Sequence, residues 1–211
     1  MYFIKTPQWL QWLYPSCVWH LRTIEKIIYL TFDDGPNPIA TAFVLDELKK
    51  YNAQASFFCV GKNVIEHSNV YQRILDEGHA VGNHTYNHLN GWKTNSAKYL
   101  EDVHEARKVI DSKLFRPPYG RIKRFQIQQI QSAFNMKVFL WDVLSGDFDT
   151  YISSEQCAEN VILSSKPGSI VVFHDSEKAF KRLSVALPKV LQFFTIQGYA
   201  FKTIDFTNEP K

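Results

Sequence analysis

The 211-residue sequence predicts an α/β fold, a distorted and incomplete (β/α) barrel related to the TIM barrel. Three observations lead there. Short β-rich runs alternate with longer helical runs, and no linker interrupts the alternation. Several of the β-rich runs are apolar on successive residues, as strands covered on both faces are. Polar clusters end four of the units: Asp33 with Asp34, His84, Asp147, and His174 with Asp175. Catalytic groups collected from the C-terminal ends of several strands are what a (β/α) barrel offers, and a chain of this length is short for eight full units.

Strands are expected at 27–32, 55–60, 80–83, 137–141, 169–174 and 199–204. The helices between and after them are expected at 41–51, 70–77, 96–113, 124–134, 154–164 and about 181–197. Ser96 has the side chain of an N-cap for the third helix, and Gly78 and Gly198 stand where a left-handed residue closes a helix. Pro188 falls inside the last helix, so a kink or a boundary is expected there.

With 45% hydrophobic residues the chain can bury a sizeable core, and one domain is the expectation: an aromatic segment over 1–25 packed on a domain over 26–211. The net charge of +3 is spread without a run of Lys or Arg longer than two, which argues against a nucleic-acid partner. Cys17, Cys59 and Cys157 are odd in number and widely spaced, so they read as buried free thiols. Lys5, Pro7, Gln8, Gln11 and Pro15 break every N-terminal apolar run short of a signal peptide or a membrane span. A monomer is expected; its location stays open between the cytoplasm, the membrane periphery and export by a route without a signal peptide. Trp9, Trp12, Tyr14 and Trp19 are expected to cover an open face of the domain; docking on a membrane interface or a glycan is the alternative.

The chemistry lies in short clusters. Adjacent residues leaving a strand point in opposite directions, so Asp33 and Asp34 reach one cavity only if the chain bends, and Gly35 with Pro36 can supply the bend. His84 and His88 stand one turn apart if their segment is helical, a spacing that lets two imidazoles grip one metal. Two imidazoles and one carboxylate leave coordination positions open, the count of a hydrolytic site, and one aspartate remains as a base. Each cluster alone also fits a blander role, a solvated turn for Asp33 and Asp34 or a core histidine for His174. His79 and Asn83 read as structural. Phe115 to Gly120 is a rigid turn in which Arg116 could pair with a carboxylate and the Tyr119 N–H could face an oxyanion.

Taken in order, these clusters resemble the NodB-homology polysaccharide deacetylases, carbohydrate esterase family 4. TFDDGP stands at 31–36, HTYNH at 84–88 and RPPYG at 116–120, and the resemblance runs over about 26–204. It implies that Asp34, His84 and His88 bind one divalent ion, Zn2+ before Co2+, Mn2+ or Ni2+. Asp33 is then the general base, Arg116 the group that keeps it ionised, and His174 the general acid. The Tyr119 N–H would meet the oxyanion, with Pro117, Phe148 and Trp141 forming the substrate wall. Two motifs depart from the family pattern. Asp147 takes the second aspartate of D-x-x-D-W and could raise the His174 pKa, but Leu144 replaces the first aspartate, Phe148 the tryptophan, and Val172 the leucine of L-x-H.

The function implied is hydrolytic removal of N-acetyl groups from N-acetylglucosamine-type sugars in a polysaccharide or amino-sugar glycan. An O-acetyl esterase using the same groups is a competing reading, and a catalytically silent glycan-binding module is another.

Overall fold

Strand β1 (Ile27–Asp33) is the axis of the molecule, and its period-two alternation separates two layers. Ile28, Leu30 and Phe32 face outward into the main core, where the Phe32 ring lies 5.1 Å from Phe57 and 6.0 Å from Phe173. Thr31 and Asp33 face the interior, where both accept hydrogen bonds from Arg116. The computed structural model describes residues 2–205; Met1 and 206–211, the end of the segment assigned to the domain, lie outside the described residues.

The remaining strands are β2 (Ser56–Cys59), β3 (Ala80–Asn83), β4 (Leu114–Phe115), β5 (Lys137–Val138), β6 (Val143–Leu144), β7 (Ile170–His174) and β8 (Ala200–Phe201). All pairings between them are parallel, in the order β5-β4-β3-β2-β1-β7-β6, with β8 against the start of β1. The curled sheet with helices outside is the distorted, incomplete barrel that the sequence predicts. In β3 the side of Gly82 is taken by Phe58: a Cβ there would sit 2.5 Å from that ring. Phe58 in turn forms the floor under Arg116.

The helices are α1 (Gln8–Leu13), α2 (Ala40–Lys50), α3 (Gly61–Glu66), α4 (Ser68–Asp76), α5 (Ser96–Arg107), α6 (Arg124–Ser132), α7 (Ser154–Ser164) and α8 (Glu177–Ile196). Gly78 and Gly198 have positive φ just past α4 and α8, as expected. Other details differ from expectation. Asn95, not Ser96, caps α5, its side chain accepting from Ala97 N at 2.9 Å. Helix α5 stops at Arg107, six residues early. Helix α3 and strands β4 and β6 have no counterpart in the sequence expectation, and of the expected 137–141 strand only Lys137–Val138 forms, as β5. A two-residue strand and a six-residue helix are too short to show a period. Pro188 makes no boundary, because α8 runs through it with Val190, Leu191 and Phe194 buried beyond; packing of an apolar face outweighs one missing hydrogen bond.

The N-terminal segment spans the gap between the edge strands. Leu144 N donates to Ile4 O at 2.8 Å on the β6 side, and Val18 N donates to Val138 O at 2.9 Å on the β5 side. Otherwise these edges would present unpaired backbone groups. Tyr14 and Trp19 pack against the core beneath α6, whereas Trp9 and Trp12 are 54% and 70% exposed. The four rings therefore do not act together as a cover: helix α1 buries none of its residues. The three cysteines are buried and free. Among the described residues no helix is long and apolar enough to cross a membrane.

The closure is pinned by Asp142, a buried carboxylate that accepts from Lys5 Nζ at 2.7 Å and Ser169 Oγ at 3.0 Å. Asp142→Ala is expected to lower stability in urea by about 1–3 kcal/mol, because its charged hydrogen bonds are made away from water. Lys5→Ala, at the exposed end of the pair, is expected to cost less than about 1 kcal/mol. Equal losses from the two variants would contradict this account.

Candidate active site

The site lies at the C-terminal ends of β1, β3, β4 and β7, with one group from the loop after β6. It is built outward from Arg116. This side chain is fully buried, yet every edge of its guanidinium meets an acceptor or a ring. Nη1 donates to Asp33 Oδ1 and Thr31 Oγ1, each at 2.7 Å, and Nη2 donates to Leu140 O at 3.1 Å. The Phe58 ring lies 4.0 Å below and Trp141 at 5.8 Å. A buried charge persists only when paired and hydrogen-bonded, and here the pairing partner is Asp33.

The chain turns immediately after Asp33. The bend begins at Asp34 itself, with φ 84°, and continues through a cis Gly35-Pro36 peptide. Asn63 of α3 holds the Asp34 carbonyl at 2.7 Å. Asp175 supports the turn from β7: it accepts from Gly35 N at 3.0 Å and from the Thr41 hydroxyl, and its own N–H donates to Asp33 O at 3.1 Å. A Cβ on residue 35 would lie 2.0 Å from Asp175 Oδ2, so only glycine fits there.

His84 and His88 are not on a helix, contrary to the helical spacing considered from the sequence. They sit in a loop in which Thr85 and His88 have φ 65° and 56°. Such backbone is costly for a β-branched residue and survives only where the surroundings hold it. The clamps are Asn83 and Asp102. Asn83 Oδ1 accepts from Thr85 N at 2.8 Å, so this residue orients the loop. Asp102 on α5 accepts from Tyr86 N and Asn87 N, each at 2.9 Å, and from Asn87 Nδ2 at 2.6 Å. His79 lies at the other end of β3, accepting from Ala55 N and packing on Phe57, which is a structural role.

The loop delivers two imidazoles to Asp34. His88 Nε2 is 3.0 Å and His84 Nε2 3.8 Å from Asp34 Oδ1, and the three ligand atoms lie within 4.8 Å of one another. Burial lowers the His84 pKa to about 4, so the ring is neutral at pH 7. Its Nδ1 faces the Arg116 carbonyl at 2.8 Å and must carry the proton, which leaves the Nε2 lone pair directed at Asp34. Burial works to raise the Asp34 carboxyl, but the hydrogen bond with His88 and the charges of His174, His84 and His88 outweigh it and hold it well below the usual range. Two imidazole nitrogens and one carboxylate are a set that suits a divalent ion.

On the far wall His174 ends β7. Its Nδ1 is 2.7 Å from Asp147 Oδ1, and its N–H donates to Asp147 Oδ2 at 2.6 Å. Burial opposes the charged ring, yet Asp147, followed by Asp34 and Asp33, raises the His174 pKa to about 10. Arg182 of α8 fixes Asp147 from behind by donating to its carbonyl. Leu144 and Val172 pair across β6 and β7 and are buried in the wall. Phe148 stands edge-on to His174 at 5.3 Å, and Tyr2 of the N-terminal segment stands edge-on to Phe148 at 5.1 Å.

The RPPYG turn completes the rim. Tyr119 has φ 61°, and its exposed ring meets His88 at 4.7 Å. Pro117 is buried behind it, and the half-buried Trp141 lies so close to Gly120 that a Cβ there would be 2.7 Å from the ring. Thus all eleven residues singled out from the sequence fall in one region, Trp141 mainly as backing. The supports Asn63, Asp102, Asp175, Thr41 and Arg182 gave no usable signal in the sequence, since a polar residue on a helix reads as a solvated face. Asp175 alone had a hint, its position directly after His174.

Comparisons agree with this architecture. The polysaccharide deacetylase family model matches residues 20–139. A peptidoglycan-N-acetylglucosamine deacetylase of Bacillus cereus is 35% identical over 192 residues, covering 88% of this chain and 90% of its own length. The peptidoglycan-N-acetylmuramic acid deacetylase PdaC of Bacillus subtilis is 32% identical; the alignment covers 89% of this chain and 40% of that protein. The crystal structure of a peptidoglycan N-acetylglucosamine deacetylase superposes with a TM-score of 0.86 at 30% identity, covering 94% of this chain and 95% of the other. Fold and site thus define a barrel-type hydrolase acting on carbon–nitrogen bonds other than peptide bonds. The chain belongs to the polysaccharide deacetylase family, carbohydrate esterase family 4, whose deacetylases are metal-dependent.

The raised His174 pKa has a measurable consequence for stability. The protonated ring favours the folded state, a contribution fully present below about pH 6.5 and lost as pH rises through about 10. Urea unfolding at intervals over that window should show stability falling as pH rises, and Asp147→Asn should flatten the fall. An unchanged slope in the variant would contradict the coupling.

Proposed function

We propose that this chain removes N-acetyl groups from N-acetylglucosamine-type sugars of a glycan, with peptidoglycan favoured because the relatives named above act on it. The observation that carries this reading is the meeting of Asp34, His84 and His88 within 4.8 Å of one another beside the buried Asp33–Arg116 pair. Asp34, His84 Nε2 and His88 Nε2 would hold one divalent ion, zinc before cobalt, manganese or nickel. Once bound, the ion supplies Lewis acidity, polarising the acetyl carbonyl and making water more acidic.

The remaining steps belong to side chains. Asp33, oriented by its 2.7 Å contact with Arg116 Nη1, takes a proton from the attacking water. The Tyr119 backbone N–H donates to the carbonyl oxygen as negative charge develops on it. His174, protonated at neutral pH because Asp147 supports its charge, gives that proton to the sugar nitrogen as the C–N bond breaks. Acetate and a free amino sugar are the products. Phe148, Pro117 and Trp141 shape the wall that receives the sugar ring.

The test is acetate release from N-acetylated and O-acetylated glycans after chelation and readdition of defined metals. Asp33→Asn, whose amide oxygen can still accept from Arg116, is expected to lower kcat by about 10²–10⁴-fold, the usual contribution of a general base. Asp147→Asn is expected to move the alkaline limb of the kcat/KM profile to lower pH, because His174 then loses its proton sooner. Full activity after exhaustive chelation would overturn the metal assignment. Release from acetylated xylan but never from N-acetylglucosamine oligomers would make the chain an O-acetyl esterase. No release from any glycan with any of the four metals, with glycan affinity intact in Asp33→Asn, would make it a silent binding module.

A further inference from the structure

Beyond the reacting groups, the rim carries side chains that the chemistry just described does not use. We propose that Trp92, Arg121 and Tyr119 form a subsite for an anionic glycan, one that carries carboxylates beside its amino sugars; this deepens, and rests on, the deacetylase reading.

The three residues are joined by two observed contacts and a two-residue step in the chain. Tyr119, 60% exposed, meets the His88 ring at 4.7 Å. Two residues on, the Arg121 guanidinium lies 4.8 Å from the centroid of Trp92, which is 49% exposed. Exposed faces of Trp and Tyr fit the apolar faces of sugar rings, and a guanidinium stacked on an indole is held ready for a carboxylate.

The arrangement is built rather than loose. Trp92 Nε1 donates to Ile122 O at 2.9 Å, and Gly91 N donates to Arg121 O at 3.0 Å. A Cβ on residue 91 would be 2.5 Å from that same carbonyl, so the loop after His88 and the loop after Arg116 touch only because a glycine stands there. The buried Gln126 ties them again, donating to Gly91 O at 3.1 Å and accepting from Lys123 N at 2.9 Å.

Charge identifies the occupant. No Asp or Glu occurs from 78 to 100 or from 112 to 141, the stretches that supply both loops, whereas Lys93, Arg121, Lys123 and Arg124 fall within them. Arg121 has no acidic partner among the described residues and is exposed. A neutral oligomer of N-acetylglucosamine would use the rings and leave this charge idle. A glycan with lactyl or peptide carboxylates on alternate sugars would use both.

Two arms test the proposal. In the first, kcat/KM is measured for Arg121→Gln and the parent on chitohexaose as the neutral probe and on glycan strands with free muramic carboxylates as the anionic probe. The anionic-to-neutral selectivity is expected to fall about tenfold, through KM rather than kcat and less at high salt, the loss of roughly one charged contact. An unchanged ratio, or an equal loss on both glycans, would overturn it. In the second arm, the binding of the same two glycans is measured by calorimetry in the Asp33→Asn background, with and without Arg121→Gln. Preference for the anionic strand that disappears with Arg121→Gln supports the subsite; no preference in the parent refutes it. Because this arm needs no turnover, absence of deacetylation would sink the activity assigned above without deciding the subsite. Trp92→Phe should retain, and Trp92→Ala lose, affinity for both glycans; equal affinities would remove the stacking part of the claim.

Discussion

The buried ion pair between Arg116 and Asp33 is the constraint around which the molecule is arranged. A guanidinium inside a barrel lumen is expensive to desolvate, and its cost is offset only if each N–H edge is satisfied and a carboxylate lies alongside. Thr31 and Asp33 from β1, the Phe139 and Leu140 carbonyls, and the Phe58 face do this together. The pair therefore ties β1, β2, β4 and the segment after β5 to one point. Asp34, the next residue after Asp33, and Tyr119, three residues after Arg116, leave that point in fixed directions. A network that stabilises the interior is thereby also the frame of the reacting groups.

Around this frame the backbone is held in unfavourable places. Among the described residues, four of the six non-glycine residues with positive φ are Asp34, Thr85, His88 and Tyr119, all in the site. Each has a dedicated restraint nearby: Asn63 and Asp175 at the Asp34 turn, Asn83 and Asp102 at the histidine loop, and buried prolines before Tyr119. Strain of this kind persists when surrounding contacts over-determine it, and the return is a set of ligand atoms already in place before anything binds.

The N-terminal segment joins fold to site in a second way. It completes the sheet edges that a shortened barrel leaves open, and the same run brings Tyr2 against Phe148, beside His174. Tyr2 is anchored by a 2.7 Å hydrogen bond to Asp149. Phe148, where the family pattern has tryptophan, thus gains a second ring from a distant part of the chain, and the wall beside His174 is rebuilt rather than merely reduced.

Much of this was legible in the sequence, for reasons that differ by element. Long periodic runs such as those forming β1, α7 and α8 announce themselves because burial repeats at a fixed spacing. The groups at 33, 34, 84, 88, 116, 119, 147 and 174 could be named because their types in their order are rarely met outside one chemistry. The short pieces β4, β6 and α3 left no period to read. The backbone that presents the histidines was misjudged, since a spacing of four residues does not distinguish a helical turn from a clamped loop.

What the sequence alone determined was composition and order: alternating units for a parallel sheet, and the ordered Asp, His and Arg clusters that the fold brings together at one end. Tertiary structure decided which side chains support them, Asp102, Asp175, Asn63, Thr41 and Arg182, and that Arg121 stacks on Trp92. These contacts join residues far apart in the chain through single hydrogen bonds or one stacked pair. Such contacts follow from how the strands curl around Arg116, and local pattern carries no trace of them.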